Sequence, residues 1–234
     1  MPSIYFIGLF VVTALIYLAS LGFTPYAGQH LLKVVPILVL LIIAFRYLAP
    51  RKRVLVSMAI IASGIGDVLL VFEFESAFIM GLFSFLVAHL IYGIVFYRFA
   101  NVQVEHDSFS GVLPDGLGRR RLAFVVALFA AAMGYHILPS TGGLFLPVAF
   151  YLIVITGMAI SALIFNMSKL TIIGALSFVV SDAVLAQSLF KTALPGSSYL
   201  VMLTYYFAQL MILLGLVKIA LPESHHFETD AKYT

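Results

Sequence analysis

The chain has 234 residues, of which 63% are hydrophobic and 10% charged, against about 25% charged in a soluble domain. Net charge is +3, from 13 Lys and Arg against 10 Asp and Glu, and there is no cysteine. This balance excludes a disordered chain, an ordinary soluble enzyme and a nucleic-acid reader. The missing cysteines exclude a disulfide framework, a thiolate metal site and a cysteine nucleophile.

A membrane-crossing helix needs about 20 mostly apolar residues at about 1.5 Å rise each. Eight such runs occur, over Ile4–Leu21, Leu31–Ala49, Val54–Phe72, Ala77–Phe99, Leu122–Leu138, Leu144–Phe165, Leu170–Phe190 and Tyr199–Leu221. Lipid offers no partner to free backbone groups, so each run is expected to be helical. The expected fold is all-α: a polytopic integral membrane protein of eight transmembrane helices. The first run lacks a basic segment before it and reads as a retained helix. The linker Asn101–Gly118 splits the chain into halves 1–100 and 119–221. The segment from Pro222 onward, with His225 and His226, reads as a polar cytoplasmic tail after a single transmembrane domain at 1–221.

Charge sets the expected orientation. Eleven of the basic residues, including Arg51–Arg53 and Arg119–Arg121, fall on the face shared by both termini. Lys33 and Lys191 alone fall on the other. The positive-inside rule then places both termini in the cytoplasm, in a bacterial inner membrane. The basic clusters sit beside lipid headgroups and leave no face for nucleic acid.

The third and seventh runs each carry one intramembrane aspartate, in Ser63-Gly64-Ile65-Gly66-Asp67-Val68 and Val179-Val180-Ser181-Asp182-Ala183-Val184. Phe85-Leu86-Val87-Ala88-His89 in the fourth corresponds to Tyr205-Tyr206-Phe207-Ala208-Gln209 in the eighth. An even number of helices per half makes a parallel 4+4 repeat, with polar sites between the halves. Asp67, Asp182, His89 and Gln209 are then expected at one depth.

A carboxyl in mid-membrane costs about 2.5 to 3.5 kcal/mol on insertion scales and should face the interior. It either glues helices together as a neutral donor or performs chemistry. Two carboxyls facing one another cannot both ionise readily, so one stays protonated while the other is charged, the division found in paired-carboxylate hydrolases. Asp67 and Asp182 are the candidate catalytic pair. His89 and Tyr92, one turn apart, either orient the acids or serve as helix–helix glue. Gln209 is either a polar clamp or a structural group, with Tyr205 and Tyr206 one turn before it; Tyr206 is counted with the site, and Ser181 is a small polar neighbour to Asp182. Tyr151 is either a packing aromatic or a site residue. Lys33 either snorkels to the interface or pairs with a substrate phosphate or a buried carboxylate. No Walker loop, nucleophile elbow or zinc-protease motif is present.

Gly66-Asp67-Val68-Leu69-Leu70, followed by Phe78, Gly81, Phe85, His89 and Tyr92, resembles the first aspartate motif of the lysoplasmalogenase (YhhN) family. Gly174 to Asp182 with Phe190 is similar to its second, Tyr205-Tyr206-Phe207-Ala208-Gln209-Leu210 to its C-terminal motif, and Lys33-Val34-Val35-Pro36 to its early Lys-x-x-Pro element. The resemblance implies an intramembrane hydrolase that cleaves the vinyl-ether bond of lysoplasmalogens to a fatty aldehyde and a glycerophospho-base. Its partners would be the lysophospholipid substrate and membrane lipids; it would need no cofactor and no metal. Two rivals stay open: a metal-dependent lipid hydrolase using His89 and the aspartates, and a proton-coupled transporter or lipid-binding protein. The sequence leaves the oligomeric state and the side of entry undetermined.

Overall fold

A computed structural model describes residues 2–72, 74–100 and 116–220. The readings placed on Glu73, on Asn101–Asp115 and on the tail with His225, His226 and Lys232 lie outside the described residues. Eight long helices run in order: α1 (Ile4–Ser20), α2 (Gln29–Tyr47), α3 (Pro50–Leu69), α4 (Ala77–Phe99), α5 (Gly116–Ile137), α6 (Phe145–Ile164), α7 (Lys169–Phe190) and α8 (Ser197–Ala220). Among the described residues there is no strand, and the chain is a polytopic, all-α membrane protein. Among the described residues, seven of these helices are long and apolar enough to cross a membrane. The exception is α3, which is of the same length but carries Arg51, Lys52, Arg53 and Asp67. Phe83, Phe124, Leu146 and Ile153 point outward, as lipid-facing side chains do.

Three boundaries differ from the sequence reading by three residues or more. Helix α3 starts at Pro50, whose missing N–H costs nothing in a first turn, so the basic cluster lies inside the helix. It also ends at Leu69, three residues short of the expected run, which puts Asp67 in its last turn. Helix α5 begins at Gly116, so the last three residues assigned to the linker, and Arg119–Arg121 after them, are helical.

Successive helices pack as neighbours within each half, α1 on α2, α2 on α3 and α3 on α4, then α5 on α6, α6 on α7 and α7 on α8. The halves meet where α4 packs on α6 and α2 on α8. The closest approaches use glycine. A Cβ on Gly174 would lie 2.7 Å from the Ala208 carbonyl oxygen of α8, and one on Gly215 2.7 Å from the Thr171 amide nitrogen of α7. Backbone contact at that range brings the two helices into dense van der Waals packing, the main attraction available between helices in lipid. Ser177 and Ser181 of α7 reinforce it by donating to the carbonyls of Thr204 (2.9 Å) and Val201 (3.0 Å).

Candidate active site

A cavity of about 510 Å³ lies among the helices and takes lining residues from all eight. Its polar wall holds Lys33, Asp67, Tyr151, Ser181, Asp182 and Tyr205. Its apolar arm runs along Phe129, Ala130, Met133 and Ile137 of α5 and Val148, Leu152 and Ile155 of α6. An apolar chain with a polar group at one end fits this shape.

Both candidate aspartates face the cavity, in unlike surroundings. Asp67 is 1% exposed. Its Oδ1 pairs with Lys33 Nζ at 3.3 Å, and its Oδ2 accepts a hydrogen bond from Tyr205 Oη at 2.6 Å. Helices α2 and α3 are antiparallel, so the positive N-terminal end of α2 lies beside the negative C-terminal end of α3. Asp67 stands in the last turn of α3 and Lys33 just past the first turn of α2, each opposing its own helix dipole and favoured by its neighbour's. The sequence alternative that Lys33 pairs with a buried carboxylate is the one the structure contains.

Asp182 stands eight residues before the end of α7, well inside the helix. Tyr151 Oη donates to its Oδ2 at 2.5 Å. No cation faces it among the described residues. The two carboxyls therefore share one cavity, but no hydrogen bond joins them. Asp67 sits two residues from the end of its helix and Asp182 eight residues from the end of its own.

The other predicted site residues fall into a layer behind the polar wall. Tyr92 Oη donates to Gln209 Oε1 at 2.6 Å, and Gln209 Nε2 reaches Tyr205 Oη at 3.5 Å. Gln209 thus braces the tyrosine that holds Asp67 and does not touch the acid. Tyr206 Oη donates to the Lys33 carbonyl at 2.7 Å. Pro36 inside α2 lacks the N–H that would reach the Leu32 carbonyl, so the Tyr206 bond falls beside the interrupted turn, one residue further along. Ser181 is spent on the α7–α8 contact at the cavity edge. His89 is fully buried, edge-on to the rings of Tyr151 (5.6 Å) and Phe178 (4.9 Å), and it hydrogen-bonds neither aspartate.

Tyr205 is the site residue that sequence reasoning passed over. The signal was its place in a tyrosine pair, where the chosen member, Tyr206, proves to be the structural one. Among the described residues no group of three or more His, Asp or Glu converges where a metal ion could be held.

The sequence profile of the YhhN family matches residues 28–216. Human lysoplasmalogenase TMEM86B is 31% identical over 168 residues, covering 71% of this chain and 65% of that protein. Bovine lysoplasmalogenase TMEM86A is 28% identical, covering 74% of this chain and 69% of its own. Human lysoplasmalogenase TMEM86A is 26% identical, covering 79% and 74%. No solved structure matches the chain. The profile match takes in Lys33, both aspartate motifs and the Tyr205–Gln209 stretch that together build the cavity wall, and the chain belongs to the YhhN family.

Proposed function

We propose that this protein is an intramembrane hydrolase that cleaves the vinyl-ether bond of a lysoplasmalogen, giving a fatty aldehyde and a glycerophospho-base. The observation that carries the reading is the cavity, an apolar arm ending at two carboxyls of unlike partnership. The names of the mammalian relatives supply the substrate class.

The unlike partners divide the labour. Asp67 has a cation beside it and both oxygens engaged, so it serves as the fixed carboxylate. Asp182 has no counter-charge, and a carboxyl without one is held out of water at least cost as the neutral acid. Its Oδ2 is taken by Tyr151, which leaves Oδ1 to carry the proton toward the cavity. Asp182 protonates the β-carbon of the vinyl ether, and the α-carbon becomes an oxocarbenium ion. The Asp67 carboxylate steadies that cation. Water adds at the α-carbon, and its proton returns to Asp182, now the base. The hemiacetal then collapses: its hydroxyl proton leaves, the bond to the glycerol oxygen breaks, and that oxygen takes up a proton. One water is consumed and Asp182 ends protonated. Tyr151 and Tyr205 position the two carboxyls.

The same reading treats the two halves as a parallel repeat. Its support is the packing order, in which α4 on α6 has its counterpart in α8 on α2. In that register Lys33 of α2 answers Tyr151 of α6, so one half-site is ionic and the other neutral. The basic face, with ten Lys and Arg among the described residues, is read as cytoplasmic in a bacterial inner membrane.

The test is aldehyde release from lysoplasmalogen by detergent-purified protein. Wild type should be active, and Asp182→Asn should lose about 10²- to 10⁴-fold, the usual worth of a general acid. Asp67→Asn should be similarly impaired. Full activity in either variant overturns the mechanism.

A further inference from the structure

The cavity occupies only one end of the bundle. Its lining residues lie toward the C-terminal ends of α1, α3, α5 and α7 and toward the N-terminal ends of α2, α4, α6 and α8. Leu21, Gln29, Phe72, Leu138, Phe190 and Ser197, at or just beyond helix ends on that face, all line it. The opposite face carries Arg46, Arg51–Arg53, Arg98, Arg119–Arg121, Lys169 and Lys218. Between the cavity and that basic face the bundle is packed shut. Leu40, Ile43, Phe96, Ile172, Leu213 and Leu216 are each at most 1% exposed. A zwitterionic glycerophospho-base cannot cross such an apolar plug without losing its hydration.

From this we infer that the protein draws its lipid from the leaflet opposite its basic face and releases the water-soluble product on that far side. With the basic face cytoplasmic, the far side is extracytoplasmic. The inference rests on the proposed vinyl-ether hydrolysis for its substrate but on the geometry of the cavity for its side. The aldehyde partitions into the bilayer, whereas the glycerophospho-base cannot recross hydrocarbon unaided. Its further use by the cell therefore requires a carrier.

The chain has no cysteine, so single cysteines can report which face is outward. Thr192→Cys marks the far face and Ala49→Cys the basic face; both positions are exposed and neither lines the cavity. The protein is expressed in a bacterial host. A membrane-impermeant maleimide is applied to spheroplasts and to inverted vesicles, and 1-alkenyl-glycerophosphoethanolamine is then added outside each. In spheroplasts Thr192→Cys should be labelled, and glycerophosphoethanolamine should collect in the medium at least ten-fold faster than with inverted vesicles, where Ala49→Cys is labelled. Product collecting on the side of Ala49 overturns the inference. So does cleavage in detergent with none in either intact preparation, since a far-side mouth must accept lipid from an intact leaflet. Failure of detergent-purified protein to cleave the lipid at all overturns the proposed function instead, and that arm is read first.

Discussion

Lys33 and Asp67 form a buried ion pair in a medium that penalises each charge alone. Removing one partner leaves the other uncompensated, a loss of about 3 to 5 kcal/mol in buried pairs. Lys33→Met should therefore lower the thermal midpoint in detergent markedly, and Lys33→Met with Asp67→Asn should recover most of it. Neither should release aldehyde at the wild-type rate, because both lack the fixed carboxylate in its paired state. A double variant with restored activity would make the pair structural only. Tyr151→Phe keeps the ring against His89 and removes the hydrogen bond to Asp182. A single hydrogen bond to a charged or reacting group is worth about 1.5 to 3 kcal/mol. Activity should fall roughly 10- to 100-fold with a drop of several degrees in the unfolding midpoint, as a kinetic assay beside a thermal melt would show.

Among the elements, α7 and α8 form the closest pair, and the site depends on it. Helix α7 carries Asp182, and α8 carries Tyr205, Tyr206 and Gln209. Gly215→Ala would drive a methyl into Thr171 and Ser168 of the facing chain segment, where the backbone itself is in the way. Overpacking of this kind costs about 1 to 3 kcal/mol. The expected result is a lower unfolding midpoint together with lost activity, as the two helices part and Tyr205 shifts from Asp67. Gly8→Ala is the contrasting case, since nothing lies within 4 Å of a Cβ there. Alanine is better than glycine in a helix by about 1 kcal/mol, so this variant should hold or raise the midpoint. The paired melts separate a close-packing role for Gly215 from mere helix propensity.

For the whole molecule, charge decides orientation and packing decides access. The basic residues of α3 and α5 sit at one face beside the ends of α2, α4, α7 and α8. Replacing Arg51, Lys52, Arg53 and Arg119–Arg121 by Gln should weaken the orientation bias. Thr192→Cys in that background should then be labelled only in part from outside, where the parent is labelled fully. Helix α5 lines the apolar arm along one side and rests chiefly on α6, so the cavity wall there is one helix thick.

Composition and run length alone specified a helical membrane protein, because hydrocarbon tolerates no unpaired backbone and few charges. The aspartates, Lys33 and Tyr151 were legible as candidates for the same reason: polar side chains inside apolar runs are conspicuous. What the linear order could not contain was partnership. Lys33 meets Asp67, and Tyr205 rather than Tyr206 turns to the acid, because helix rotation and tilt are set by close contacts, Gly64 of α3 on Ile37 of α2 and Gly174 of α7 on Ala208 of α8 among them. The boundary of α3 likewise shifted Asp67 to a helix end, where the dipole of α2 favours it. Which carboxyl is charge-compensated, and toward which face the cavity opens, follow from how eight helices pack and from nothing shorter in range.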